Sequence, residues 1–502
     1  MKAVKIADRD NVAVVTGKTL KGERIDGTDI SALCDIPQGH KIALENLKKG
    51  DAVIRYDVVL GYMLEDIKAG GWINELNLAL PSSPDVSSLK AGGKGTFVSE
   101  LPNRRTWMGY DNGPALPAGS RNILGIITSV QCVAGVVRNA ADRIKKELLP
   151  KYPNVDDVSA VIHPYGCGVA INADDAEIPI RSVRNLAHHP NFGGQILAVG
   201  LGCEKLTMDR ILEPDEINDE NVIILQDCRG YEEMMDCILK AAERKLEVLN
   251  KRKRTELSLS RLRIGAQCGG SDAFSGISAN PTIGYAFDLL ASGGATVLFS
   301  EVTEVRDGVH LLAERCVDEN AVEKLKKEIS WYDDYLAKSH VDRSANPTPG
   351  NKKGGLSNIV EKAMGSIAKS GSSPIVQVIG PGEVPRCSGL VFAATPASDI
   401  VCGPSQLASG IVLQLFSTGR GTPYGLREIP VYKICTQHSM KQMWPDIFDM
   451  DAGFVVTGER TIREMGEELY AEILDTVSGR KTAAEKLRLY NDILVFNPAP
   501  IT

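Results

Sequence analysis

Long apolar runs are missing from this chain. The longest, Ile123 to Val137, is broken by Thr128, Ser129, Gln131 and Gly135, and falls short of the roughly 20 apolar residues a membrane-crossing helix needs. The opening MKAVKIADRDNVAVV has no apolar core and no small-residue cleavage site, so no export signal is expected and the cytoplasm is the expected compartment. Positive charge is not in excess: the net charge is −7 and the pI about 5.7. That argues against broad nucleic-acid binding, which needs clustered cations along a phosphate-tracking face. No GxGxxG run occurs, which weighs against a dinucleotide-dependent oxidoreductase. Compact CxxC spacing is also absent, and eleven cysteines, an odd number in a chain without an export signal, favour thiols or metal ligands over a disulfide framework.

What is present is an ordinary globular composition, with 43% hydrophobic and 24% charged residues, and disorder is therefore not expected. At 502 residues the chain exceeds one hydrophobic core, so two or three domains are predicted. Residues 1–80 read as a small all-β module of short runs (NVAVV, KIAL, AVIRY) separated by turns at Pro37, Gly39, Gly50 and Gly70. Residues 81–105, rich in Ser, Pro and Gly, read as a linker whose tethered parts can move or dock. From 106 to 258 apolar runs alternate with amphipathic helices, as in parallel α/β architecture, with NILGIITSV, VSAVI, GQILAVGL and NVIILQ as strands. The helix through YEEMMDCILKAAERKLEVLNKRKR closes this region, and its basic end is expected to meet the helix dipole in solvent. A second α/β series, 259–502, holds LRIGAQ, ATVLFS, PIVQVI, LVFAAT, IVLQLFS and VYKIC.

Three strands of the middle region end in a cysteine at a turn: Cys132, Cys167 and Cys203. Ligands of parallel sheets bind beyond the carboxyl ends of the strands, so these thiols can converge. Three thiolates suit an iron–sulfur cluster with one open iron, a Lewis acid for a carboxylate and a leaving hydroxyl. The alternative is three small residues packed at tight turns. His163, near Cys167, reads as a hydrogen-bonded core or rim residue. In QCGGSDAFSGISANP, from Gln267 to Pro281, Gly269 and Gly270 let backbone amides approach an anion and Ser271 and Ser275 add donors. The segment lacks the GK[ST] ending of a P-loop, so a small carboxylate fits better than a nucleotide. Ser271 and Asn280 are expected to bind substrate, Cys268 is a further metal candidate, and Asp272 either caps the helix or ligates metal. Glu301 and Glu304, at the end of the next strand, ligate a divalent cation, move protons, or sit in a solvated loop. Asn351 and Lys352 of ANPTPGNKKGG can grip a carboxylate. In LFSTGRGTPYG, Arg420 between glycines offers a planar fork for a carboxylate, with Thr422 beside it, unless the segment is a surface turn.

The segments LLPKYPNVD, YGCGVAINA, GLGCEKL, QCGGSDAFSG, SEVTEVRDG, SANPTPGNKKGGL, STGRGTPYG and VFNPAP together resemble the galactarate/altronate dehydratase family over nearly the whole chain. GLGCE, CGGSD, PGNK and STGRGTPYG are common to both branches, whereas VAINA and TEVRDG point to galactarate. The resemblance implies an N-terminal β-clip module of the SAF type, a middle α/β domain used for homodimerisation, and a C-terminal Rossmann-like domain with metal and substrate sites. It also implies iron-dependent loss of water from a sugar diacid under reducing conditions, the iron being Fe(II) or a cluster, with another divalent cation able to occupy the site. The family's GHK segment is matched by Gly39, His40 and Lys41, which puts His40 and Lys41 with Arg420 among the catalytic candidates. The loop from Gly109 to Asn122 lacks the family's DGxxG turn, although Arg121, a substrate-binding candidate, and Asn122 remain. His40 is the expected acid or base, because an unperturbed imidazole titrates near pH ~6.5. The rival expectations are an altronate or other sugar-acid dehydratase and a sugar-acid-binding protein without turnover.

Overall fold

The computed structural model describes residues 1–114 and 116–501; Ala115, inside the 109–122 loop, and Thr502 lie outside the described residues. The N-terminal module carries seven short strands, β1 (Ala3–Val4), β2 (Val12–Val15), β3 (Lys41–Ala43), β4 (Ala52–Arg55), β5 (Val58–Met63), β6 (Trp72–Ile73) and β7 (Leu78–Ala79), in two antiparallel sheets ordered β1-β2-β3-β6 and β4-β5-β7. Side chains alternate across a strand, and β2 uses both faces. Ala13 and Val15 pack on the module's own Ile25, Ile36 and Ile42, while Val14 packs on Ala273, Phe274 and Ile277 of the C-terminal region.

The segment 81–105 forms no regular element beyond its extended path, as its composition predicts, but it is not a loose tether. Val86 and Leu89 are buried in the main core. The Thr96 amide donates to the Ser372 carbonyl at 3.0 Å, the Val98 amide to Ser292 Oγ at 2.9 Å, and Tyr470 donates to the Arg104 carbonyl at 2.7 Å. Backbone groups that a flexible linker would leave to water are paired along the flank of the C-terminal domain.

The middle region opens with β8 (Thr106–Gly109), continues with β9 (Ile123–Thr128), α1 (Ala134–Arg143), β10 (Asp157–Val161), α2 (Glu177–Ala187), β11 (Ala198–Gly200), β12 (Val222–Ile224) and α3 (Tyr231–Leu249), and closes with β13 (Thr255–Ser258), which pairs antiparallel with β8. Its parallel sheet is ordered β10-β9-β11-β12. The first strand in sequence lies between the second and third, which makes a topological switch point at β9. The basic end of α3 differs from expectation. Arg252 donates to Asn112 and Asn122, Arg254 donates to the Met108, Ser120 and Val477 carbonyls, and both guanidinium groups lie over the Tyr110 ring. A guanidinium fork that finds several carbonyls is worth more inside a seam than in solvent.

The C-terminal region is a parallel sheet of 7 strands, ordered β16-β17-β15-β14-β18-β19-β20. The strands are β14 (Arg263–Cys268), β15 (Thr296–Ser300), β16 (Ile375–Ile379), β17 (Gly389–Ala393), β18 (Gln414–Thr418), β19 (Val431–Cys435) and β20 (Met450–Asp451). Between β14 and β18 in sequence run α4 (Ala279–Ser292), α5 (Val309–Arg315), α6 (Glu319–Ala337), α7 (Pro349–Lys353), α8 (Ile359–Ile367) and α9 (Asp399–Ala408). The central strands are apolar throughout because both faces are covered. Val297 and Phe299 of β15 join the α4 side, while Leu298 joins the α9 side together with Ile180 and Val183 of α2. Here β14, first in sequence, sits between β15 and β18, a second switch point.

Helices α2 and α9 lie side by side and run parallel. Ile178 near the start of α2 packs with Val401 near the start of α9, and His189 just past α2 bonds the Ile411 carbonyl, just past α9, at 2.9 Å. Each helix runs back along its own parallel sheet, so the carboxyl edges of both sheets face the same side of the molecule. Among the described residues no helix is long and apolar enough to cross a membrane.

Candidate functional site

The crevice beyond β14, β15 and β18 gathers most of the C-terminal candidates. Cys268 ends β14 with its Sγ 2.9 Å from Ser271 Oγ, and its amide donates to Glu301 Oε2 at 3.3 Å. Burial pushes the Cys268 thiol up. Glu301 holds a left-handed backbone, with φ of 80°, and its carboxylate takes the Lys369 ammonium. Glu304 takes Lys362 at 2.8 Å. Burial and the neighbouring Glu304 push the Glu301 carboxyl up to about 8 against the pull of Lys369. For Lys369 burial acts downward, but the two glutamates outweigh it and hold the ammonium above its ordinary value. Asp399, at the start of α9, is pushed up to about 6 by burial and by Glu304. Neither glutamate is therefore in a solvated loop: each is buried and matched by one lysine.

Asp272 spends both oxygens inside the protein. Oδ1 accepts from the Phe274 and Ser275 amides and from Ser275 Oγ, and Oδ2 accepts from Thr436 at 3.0 Å and Gln437 at 3.1 Å. Asn280 is likewise internal, accepting from Ser417 Oγ at 2.6 Å and donating to the Gly365 carbonyl at 2.8 Å. Asn351 donates to the Ser271 carbonyl at 2.9 Å, which fixes the PGNK turn on the CGGSD loop. The Arg420 amide donates to the Gly270 carbonyl at 2.8 Å, which fixes the STGRG turn on the same loop. The Arg420 guanidinium is exposed, and Lys352 and Thr422 are partly exposed beside it. These three are polar groups of the crevice whose side chains have no hydrogen-bond or ion-pair partner among the described residues, so they face the open side.

The N-terminal module closes one side of this crevice. Gly355 has φ of 97° and stands against the Gly39 carbonyl, where any side chain would collide. Lys41 Nζ donates to the Gly355 carbonyl at 2.7 Å and to Glu361 at 2.8 Å, and Arg55 binds the other Glu361 oxygen. All three side chains are buried. Lys41 is thus committed to an ion triad across the domain seam. His40 Nδ1 accepts from Trp72 Nε1 at 3.2 Å, so the ring proton sits on Nε2, and the imidazole meets the Lys353 backbone. Burial, assisted by Lys41, lowers its pKa and keeps the ring neutral. Gln38 donates to Gln437 at 2.8 Å. Between Tyr56, Cys268, Ser271 and Glu304 remains a small cavity of about 10 Å³, room for a single water.

The middle-domain cysteines form a second and separate group. Cys132, Cys167 and Cys203 are all exposed, and they follow β9, β10 and β11, the three strands around that domain's switch point. The Cys132 thiol is raised by local desolvation and then by Cys167 and Cys203, which stand within interaction range. Gln226 Nε2 donates to Cys203 Sγ at 3.4 Å. His163 is buried against the Thr128 carbonyl at 2.7 Å and is a core histidine. Among the described residues no three His, Cys, Asp or Glu side chains close on one metal-ion position. Arg121 joins neither group. It pairs with Glu485 at 2.7 Å and donates to the Ser120, Thr476 and Arg480 carbonyls. Its neighbour Ser120 bonds the Val412 carbonyl ahead of β18, at the amino edge of the sheet and opposite Arg420.

Sequence reasoning did not find Lys362, Lys369, Glu361 or Asp399. The signal was there for the lysines: two cations spaced by seven in the apolar run IVEKAMGSIAKS share a helix face.

Comparison with known proteins follows the same division. Residues 1–81 match the altronate/galactarate dehydratase SAF domain, residues 109–250 the second domain of D-galactarate dehydratase/altronate hydrolase, and residues 259–501 the C-terminal domain of D-galactarate/altronate dehydratase. The chain is 49% identical to galactarate dehydratase (L-threo-forming) of Escherichia coli (strain K12), across 99% of this chain and 97% of that protein. It is 33% identical to altronate dehydratase of Bacillus subtilis (strain 168), across 96% of each chain. It is 32% identical to altronate dehydratase of Escherichia coli (strain K12), across 97% of each chain. With three domains matched in order and relatives aligned from end to end, the chain belongs to the D-galactarate/altronate dehydratase family.

Proposed function

We propose that this protein removes water from galactarate to give 5-dehydro-4-deoxy-D-glucarate, as an iron-dependent hydro-lyase of the cytoplasm. The observation that carries the reading is the convergence of the GHK, CGGSD, PGNK and STGRG segments, far apart in sequence, on one crevice whose unspent groups are Arg420, Lys352 and Thr422. The cavity beside Cys268 is too small for a six-carbon diacid, so the open side of the crevice receives the substrate. Arg420 takes one carboxylate as a planar fork, with Lys352 and Thr422 beside it, which leaves the substrate's other end for the iron centre. A hydrogen beside a carboxylate is weakly acidic, and its removal leaves a dianionic intermediate that cationic groups must stabilise. The proton taken from that carbon passes to the neighbouring hydroxyl, which leaves as water, and the enol becomes the ketone. His40, neutral with its single ring proton on Nε2, is placed to give a hydrogen bond, not a proton, to the departing hydroxyl once the Lys353 backbone shifts from its edge.

Iron belongs at Cys132, Cys167 and Cys203. Three exposed thiols meet there within interaction range of one another, and among the described residues no three side chains close on a single metal-ion position. A cluster of iron and sulfide is wider than one ion and is held by thiolates. When bound, it supplies a Lewis acid and positive charge for a carboxylate and hydroxyl. The division into a SAF-like module (1–80), a strap (81–105), a middle domain for homodimer formation (106–258) and a C-terminal Rossmann-like substrate domain (259–502) completes the proposal. Protein purified anaerobically with iron, assayed in parallel on galactarate, glucarate and altronate, tests it. Turnover of galactarate above the others supports the reading, preference for altronate moves the substrate, and binding without water loss refutes catalysis.

A further inference from the structure

We propose that Glu204 is the positioning residue that holds the three cysteine-bearing turns in one frame, an inference that rests on the three-thiol reading of the iron site. Each turn is tied to the other two. The Cys203 turn is tied to the β9 turn through Glu204, whose Oε1 accepts from the Leu201 amide at 3.0 Å and from Ser129 Oγ. Its Oε2 accepts from the Gly202 amide at 2.6 Å. Ser129 lies three residues before Cys132. The Cys167 turn is tied to the β9 turn at Gly166, whose φ of 116° sets it flush on the Ser129 carbonyl. The Cys167 and Cys203 turns are joined by the Lys205 and Leu206 amides, which donate to the Gly166 carbonyl at 3.1 and 3.3 Å.

Glu204 therefore both shapes the Cys203 turn and reaches across to Ser129, in the turn that leads to Cys132. Its carboxylate only accepts, and its three donors are two amides and a hydroxyl. A glutamine in its place keeps the length but must turn an NH₂ toward one of those donors. Ligand-orienting groups of this kind govern how firmly a metal is held rather than whether the chain folds.

The test compares wild type with Glu204→Gln, Ser129→Ala and Cys203→Ser, all reconstituted anaerobically with ferrous iron and sulfide. Iron and acid-labile sulfide per chain, visible absorbance and the rate of iron loss to a chelator are read alongside circular dichroism. Cys203→Ser is expected to bind no cluster. Glu204→Gln is expected to fold as wild type but lose iron about tenfold faster, with Ser129→Ala between the two. If both the Glu204 and Ser129 variants hold iron as wild type while Cys203→Ser does not, the positioning role is wrong and the thiol site stands. If Cys203→Ser also holds iron as wild type, the thiol site itself falls and the positioning role with it.

Discussion

The two crevices of this protein have the same topological origin and opposite chemistry. Each lies where the first strand of a parallel sheet is flanked by later ones, at β9 and at β14. In the C-terminal crevice, charge is buried and already matched, Glu301 by Lys369, Glu304 by Lys362, and Glu361 by Lys41 and Arg55. In the middle-domain crevice, three thiols are exposed and within interaction range of one another. A divalent ion added to the first would face two resident ammonium groups, whereas iron and sulfide added to the second would meet three thiols able to ionise. A cluster of acidic residues is thus not in itself a metal site. What decides is whether the fold has supplied the countercharge.

The largest effect expected from this contrast is at the thiols. Cys132→Ser, Cys167→Ser or Cys203→Ser should lower dehydratase activity by more than roughly 100-fold, beyond what loss of an outer-shell group costs, with iron lost in parallel by metal analysis. Glu304→Gln should do the reverse. Iron content stays at the wild-type level, while urea unfolding reports a loss of about 3–5 kcal/mol because Lys362 is left buried without its partner. Iron lost from Glu304→Gln would erase the distinction between the two crevices.

A pH effect of about 3 kcal/mol per group follows from His163 and His189, both held down to about 4 by burial from an ordinary 6.5. Between those values the unfolded chain binds protons that the folded chain refuses. Their contribution is therefore complete above about 6.5 and drains away as the pH falls toward 4. His163→Gln should flatten the acid limb of stability measured by denaturant titration at several pH values. Smallest is Arg420→Ala, which removes one charge-assisted contact worth about 1.5–3 kcal/mol. It should lower kcat/KM on galactarate by roughly 10–150-fold without altering Tm, since its guanidinium is exposed.

The strands of both parallel sheets could be read from the sequence, because strands buried on both faces are continuous apolar runs between turn residues. The exception was β20, which at Met450–Asp451 is too short to carry a pattern. The cysteines at strand ends and the glycine-flanked Arg420 were legible for the same reason: turns that follow strands sit at the carboxyl edge. Ion pairing was not legible. Lys41 meets Glu361 across 320 residues and Lys369 meets Glu301 across 68, and no local period encodes such partners. The strap was misjudged as loose because its composition reports on backbone freedom, not on the surface that the rest of the chain provides for Val86 and Leu89.

Iron and acid-labile sulfide, measured together on anaerobically purified wild type and on Cys203→Ser, bear most directly on how this enzyme works. Both present in the wild type, and both absent from the variant, is the expected result. Iron without sulfide, held equally by the two proteins, would contradict it and return the metal to the carboxylates of the C-terminal crevice.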